Sequence, residues 1–150
     1  MLLTGTYRRT LDDKLRLAIP KQLREVLAEQ KLFLTPGTDQ ALFIYTGDVL
    51  EGIGEMLSGL SPVAKETRSF SRLFYAQAQP AEIDKQGRMR IPPGLAGLAK
   101  LGGETVLVGV RDRLEIWNAR TWDEFLVNLQ PSYDELAEQV FENARKVDQD

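Results

Sequence analysis

Two short runs in the 150-residue sequence hold the residues best placed to do chemistry: Asp12-Asp13-Lys14-Leu15-Arg16 and Asp84-Lys85-Gln86-Gly87-Arg88. Each sets a carboxylate four positions before a guanidinium. A pair of carboxylates, Asp12 with Asp84, could share a proton and activate water, as in two-lobed hydrolases. A guanidinium beside a tight turn could instead grip a polyanion, because its planar fork matches phosphate or the edge of a guanine. The hydrolase reading lacks the Asp-Thr/Ser-Gly run that such dyads carry, and the basic neighbours suit the polyanion better. The chain has no His and no Cys. The commonest general base, the commonest metal ligand and thiolate chemistry are therefore all missing. The expectation is no enzyme, no metal, no cofactor and no small-molecule substrate.

The formal net charge of −3 argues against a nucleic-acid partner until it is divided along the chain. Residues 1–24 carry Arg8, Arg9, Lys14, Arg16, Lys21 and Arg24 against Asp12 and Asp13. Residues 121–150 carry eight acidic side chains against Arg145 and Lys146. Local charge decides where a polyanion docks, while the total mainly concerns solubility. With 43% hydrophobic and 27% charged residues the chain can bury a core. No apolar run approaches the roughly 18–20 residues needed to span a bilayer. The first residues lack the basic and apolar regions of a signal peptide. A cytoplasmic address is expected.

The two runs belong to an internal repeat. Residues 11–20 recur as residues 83–92, an offset of 72. The same offset takes Leu23 to Leu95, Gly37 to Gly109, Leu42 to Leu114, Ile44 to Ile116 and Tyr45 to Trp117. A register held over about 35 residues marks a duplicated unit. In each copy a strand ends near Leu11 or Ile83, and Asp-x-x-(Leu/Gly) forms a tight turn. The aspartate suits such a turn because its carboxylate bonds backbone N–H groups two residues on. A return strand follows with period two. Leu17, Ile19, Met89 and Ile91 take the core face, and Arg16, Arg88 and Arg90 the other. Proline then opens a short helix, 21–29 in copy one. Next comes a hairpin, 32–35 with 41–45 and then 105–109 with 113–117. Helices are expected over 46–60 and 61–76, the second capped by Ser61-Pro62. Capping boxes at Thr121 and Ser132 open two C-terminal helices, with a frayed tail over 146–150. Phe43, Tyr45, Trp117 and Trp122 fall at core-like spacing. The organisation is thus 1–60 for the first repeat and its helix, 61–76 for a connecting helix, 77–128 for the second repeat and 129–150 for an acidic helix and tail.

These runs, with Ile19-Pro20, Ile91-Pro92-Pro93, the strand at 114–117 and Trp122-Asp123, make the chain resemble the MraZ family of bacterial transcriptional regulators over essentially its full length. The resemblance implies an α+β, β-rich fold. Two AbrB-like swapped-hairpin repeats would form one pseudo-twofold, β-barrel-like unit flanked by helices. It implies a ring-shaped homo-oligomer, nucleoid-associated, on double-stranded DNA. The DNA would carry short direct repeats upstream of the division and cell-wall gene cluster, which includes the chain's own gene. It also implies that Arg16 contacts DNA.

A ribbon of two strands fits the major groove, so Arg16 is cast as the base contact. Lys14, Lys21 and Arg24 are cast as phosphate contacts, which position without reading sequence. Arg8, Arg9 and Arg88 are weaker extensions of the same stripe, Arg88 and Arg90 being read in preference as surface charge or subunit contacts. Asp12, Asp84 and Gly87 are turn organisers. Two departures from the family pattern stand out. Leu15 occupies the usual glycine position, where a positive φ would cost about 1–2 kcal/mol unless the turn relaxes to another type. The helix after Pro92 also lacks a counterpart of Arg24, making the second unit the poorer DNA contact. The alternative is a protein-binding module of the AbrB-like antitoxin type, against which two full copies in one chain argue.

Overall fold

The computed structural model describes residues 1–149. It is an α+β fold with eight strands and six α-helices among the described residues. In chain order these are β1 (Thr6–Thr10), β2 (Arg16–Ala18), α1 (Lys21–Leu27), β3 (Leu32–Pro36), β4 (Leu42–Thr46), α2 (Gly47–Ser58), α3 (Lys65–Gln77), β5 (Gln79–Ala81), β6 (Arg88–Arg90), α4 (Pro93–Leu98), β7 (Glu104–Val110), β8 (Arg113–Asn118), α5 (Ala119–Leu129) and α6 (Tyr133–Asp148). Two compact units divide the chain, Met1–Ala119 and the residues from Arg120 onward.

In the first unit, six strands form one antiparallel sheet in the order β1-β7-β8-β4-β3-β5. Exchanging the two copies of the repeat turns this order into its own reverse: β1 answers β5, β7 answers β3, and β8 answers β4. Each copy's first strand therefore joins the other copy's hairpin. The remaining strands, β2 and β6, pair with each other as a separate antiparallel ribbon, Leu17 opposite Met89. The expected barrel-like closure is not present. The main sheet is open, with β1 and β5 as its edges. Proline at position 80 has no N–H to offer a ladder and suits an edge strand.

The turn-and-return hairpin read from each copy is likewise replaced. The strand before each aspartate goes to the main sheet and the strand after it goes to the ribbon. Local pairing survives as the Asp12 N–H donating to Arg16 O at 3.0 Å, the Asp84 N–H donating to Arg88 O at 2.8 Å and a bridge between Ile83 and Met89. Burial drives this choice. Leu17 and Met89, both fully buried, enter the same cluster as Leu34, Leu42, Ile44, Leu107, Leu114 and Ile116 from the main sheet. Leu23 and Leu27 of α1 and Leu95 and Ala96 of α4 join that cluster. A fully buried leucine or isoleucine contributes about 1.5–3 kcal/mol, so folding the ribbon over the sheet outweighs keeping each hairpin local.

The opposite face of the sheet is also covered. Period two sends Phe43, Tyr45, Val106, Glu115 and Trp117 to this side, and all are buried. Helices α2 and α3 lie against β3 and β4 there. Glu115 accepts from Arg113 Nε at 2.8 Å and from Trp117 Nε1 at 3.0 Å, so its buried carboxylate is fully engaged.

Several element ends differ from the sequence reading. Helix α1 stops at Leu27, with Val26 exposed and Glu29 at φ 63. Helix α3 opens at Lys65 rather than at Ser61-Pro62, where the Ala64 N–H instead closes a turn on Ser61 O. Helix α5 starts at Ala119, ahead of Thr121, and Ser132 precedes α6 without a side-chain cap bond. In α6 the helix continues to Asp148, with Arg145 and Lys146 in the last turn, where cations favour the carbonyl end. Of the tail expected to fray, Asp150 lies outside the described residues. In the second unit Trp122 stacks on Phe125, with centroids 5.5 Å apart.

Candidate nucleic-acid interface

The two aspartate turns are built alike. Asp12 Oδ1 accepts the N–H groups of Lys14 at 2.9 Å and Arg16 at 2.8 Å, while the Leu15 N–H donates to Asp12 O. Asp84 Oδ1 accepts those of Gln86 at 2.8 Å and Arg88 at 3.0 Å, while the Gly87 N–H donates to Asp84 O. Each turn then needs one residue in the left-handed region, Gly87 at φ 80 and Leu15 at φ 58. The leucine therefore keeps the glycine-type backbone rather than relaxing to another turn. These donors favour ionised carboxylates. The backbone N–H of Arg16 is the main cause holding Asp12 below its ordinary value, and that of Arg88 does the same for Asp84. A hydrolytic dyad sharing one proton would need one carboxyl raised instead.

The turns are locked reciprocally. The Ile91 N–H donates to Leu15 O and the Ile19 N–H to Gly87 O, both at 2.8 Å. Between them the ribbon presents one outer face, with Arg16 opposite Arg90 and Ala18 opposite Arg88. Arg16 Nε donates to Asp12 Oδ2 at 2.7 Å. Arg88 sits between two carboxylates, with Nε 3.5 Å from Asp84 Oδ2 and Nη1 3.9 Å from Asp12 Oδ2. Its Nε is buried without a hydrogen bond. A shallow cleft of about 570 Å³ lies here, lined among others by Arg16, Arg88, Arg90, Asp84 and Pro93. Lys14 and Lys85 are exposed at the two turn tips.

The candidates named from sequence fall into three groups. Arg16, Arg88, Lys14, Asp12, Asp84 and Gly87 converge on this ribbon and its turns. Arg24 comes near by another route: its Nε donates to Ile19 O at 2.9 Å, and its guanidinium lies over Gly87, where an added Cβ would sit 2.9 Å from Cζ. Its Nε is thus committed to the first copy's Ile19, while its guanidinium packs over the turn of the second copy. Lys21, exposed at the start of α1, sits 4.0 Å from Glu25. Arg8 and Arg9 point to opposite faces of β1, Arg8 lying 3.6 Å from Glu104 and Arg9 sharing the face of Tyr7, so one surface cannot present both. Arg90 is the residue the sequence reading left outside its DNA-contact set. The repeat offset aligns Arg16 with Arg88, whereas strand exchange puts Arg90 directly across from Arg16. Only the pairing of copies, not their alignment, carries that signal.

Among the described residues no cluster of His, Cys, Asp and Glu could hold a metal, and no helix is long and apolar enough to cross a membrane. The MraZ protein family matches twice, over residues 2–73 and 74–144, with the 72-residue offset of the repeat; its description also likens the family to antitoxins. The chain is 40% identical over 139 residues to the transcriptional regulator MraZ of Caldanaerobacter subterraneus subsp. tengcongensis, covering 93% of this chain and 96% of that one. It is 38% identical over 141 residues to the transcriptional regulator MraZ of Thermoanaerobacter pseudethanolicus, covering 94% and 98%.

Proposed function

The chain belongs to the MraZ family, and from that footing we propose that this transcription regulator grips duplex DNA through the outer face of the β2–β6 ribbon. The observation that carries this reading is the convergence of Arg16, Arg88 and Arg90 on one two-stranded surface, with a lysine at each turn tip. A ribbon of that width enters the major groove, and an arginine fork there can bond guanine O6 and N7 together, worth about 1–3 kcal/mol of discrimination. Lys14, Lys21 and Lys85 serve as phosphate contacts, and so does whatever part of Arg24 its structural bond leaves open.

One ribbon offers few base contacts. We assign the AbrB-like swapped-hairpin relation to the strand exchange between copies, and a ring-shaped homo-oligomer to the assembled protein. Repeating the ribbon around a ring multiplies weak contacts by effective concentration, provided the DNA carries boxes at a matching interval. The target is the set of short direct repeats upstream of the division and cell-wall genes, including the chain's own, which places the working protein on the nucleoid. Footprinting of that upstream DNA with wild-type and Arg16→Ala protein tests the reading. The expected result is a periodic footprint that Arg16→Ala abolishes while the assembled mass by light scattering stays the same. An unchanged footprint would remove Arg16 from its role.

The antitoxin likeness of the family supports a second reading, a module that sequesters a small protein toxin. Co-purification of a stoichiometric small partner, together with absence of any footprint, would favour it.

A further inference from the structure

We propose that Asp12 is the positioning residue of the interface, fixing Arg16 as the base reader while Arg88 is left to follow the DNA backbone. This rests on the DNA-binding reading above and adds a division of labour that the repeat by itself conceals.

The two copies are alike in their backbone bonds and differ in what the second carboxylate oxygen does. Asp12 Oδ1 organises the turn, and Asp12 Oδ2 takes Arg16 Nε at 2.7 Å. A carboxylate on Nε holds the guanidinium at its side and leaves the Nη1–Nη2 end clear of that carboxylate. That end is the one a guanine edge would meet. A long side chain held this way has already lost most of its rotamer freedom before binding, which lowers the ordering cost on the DNA. In the other copy, Asp84 makes the same turn bonds, but its Oδ2 stands 3.5 Å from Arg88 Nε, and that nitrogen is buried with no hydrogen bond. Arg88 also reaches toward Asp12, Nη1 to Oδ2 at 3.9 Å, so one carboxylate faces the guanidinium groups of both copies. A fixed fork suits base readout. A fork held only by longer-range attraction suits phosphate, whose position varies with groove shape.

The test compares binding to a duplex from upstream of the chain's own gene and to a scrambled duplex of equal length, across a salt series. Asp12→Asn keeps an oxygen to accept the turn N–H groups and removes the charge that holds Arg16. Its preference for the upstream duplex is expected to fall roughly tenfold. Affinity for the scrambled duplex and its salt slope should hold or rise, because no phosphate contact is lost. Asp84→Asn should move the preference by no more than about twofold, within the non-additivity of neighbouring residues. In an Arg16→Lys background Asp12→Asn should add almost nothing, because the fork it fixes is gone. If Asp12→Asn melts below the working temperature, Asp12→Ser supplies the comparison, its hydroxyl still accepting a turn N–H. A wild-type preference in Asp12→Asn, or an equal loss on both duplexes, would overturn the assignment. Arg16→Ala separates the two levels. If it keeps the wild-type preference, the DNA reading of Arg16 itself fails. If it loses the preference while Asp12→Asn keeps it, only the positioning role fails.

Discussion

At the residue scale, the aspartate turns govern both shape and charge. Because backbone N–H groups hold the Asp12 and Asp84 carboxyls below their ordinary value, their contribution to stability is present above the unfolded value and is lost as pH falls through the folded one. We expect the thermal midpoint to drop on acidification below about pH 4, and a double Asp12→Asn, Asp84→Asn variant to show a shallower drop over the same window. Equal slopes for the two proteins would show that other carboxylates set the acid limb. The same turns divide at their third position. An alanine at Gly87 would carry the strain of φ 80 and would press Arg24, whose Cζ lies 2.9 Å from the added Cβ. Gly87→Ala should therefore cost about 1–2 kcal/mol from backbone strain alone, with more if Arg24 gives up Ile19 O. The counterpart change, Leu15→Gly, removes comparable strain but also the whole of a half-buried side chain packed on the cluster that includes Ala96, the repeat counterpart of Arg24. Lost burial of roughly 1 kcal/mol and a more flexible unfolded chain offset the gain, so urea midpoints should place Leu15→Gly close to wild type. Copy one thus carries the larger residue at both positions, Leu15 and Arg24, and copy two the smaller, Gly87 and Ala96.

At the element scale, β4 and β8 join the two copies at the centre of the sheet, and Glu115 is the polar group buried at that seam, opposite Phe43. Removing it leaves Trp117 Nε1 and the Arg113 fork without their acceptor, while Arg113 still lies 4.7 Å from the centre of the Phe43 ring. Hydrogen bonds to a charged group are worth about 1.5–3 kcal/mol. Glu115→Ala should cost about that much by chemical denaturation, and Glu115→Gln less, since its amide oxygen can still accept one bond. Matching losses for the two variants would mean that packing rather than polarity holds the seam. This seam also marks how far the sequence could be read. The repeat, the strands and the facing of Leu17, Met89, Arg16 and Arg88 follow from period two and turn chemistry, both of which are local. What was not local could not be seen: β1 and β5 crossing to the other copy's hairpin, and β2 finding β6. A strand's pattern states which face is buried and leaves its neighbour open. Arg90, though read on the outer face, was left out of the DNA-contact set for that reason, and Arg24 looked like a free cation because its acceptor, Ile19 O, lies just ahead of its helix and its cover, Gly87, lies in the other repeat.

At the scale of the whole molecule, a chain of net charge −3 is proposed to hold a polyanion, which works only if the basic face is concentrated and presented many times. The outer ribbon supplies the first condition, with Lys14, Arg16, Lys85, Arg88 and Arg90 against Asp12, Asp13 and Asp84 across two strands and two turns. Assembly must supply the second. On the ring proposed above, identical ribbons would meet the DNA at fixed angular intervals, so the boxes would have to recur on one side of the duplex. Inserting about 5 base pairs, half a helical turn, between two boxes would then rotate one of them away from its ribbon. The tandem duplex is expected to bind on the order of 10²-fold more tightly than a single-box duplex. The 5-base-pair insertion should remove most of that advantage, and an insertion of about 10 should restore part of it. Titrations at constant salt read this directly, because the phosphate contribution is common to all the duplexes. An advantage insensitive to helical phase would mean that protomers bind independently, and the basic ribbon would then have to supply the affinity alone.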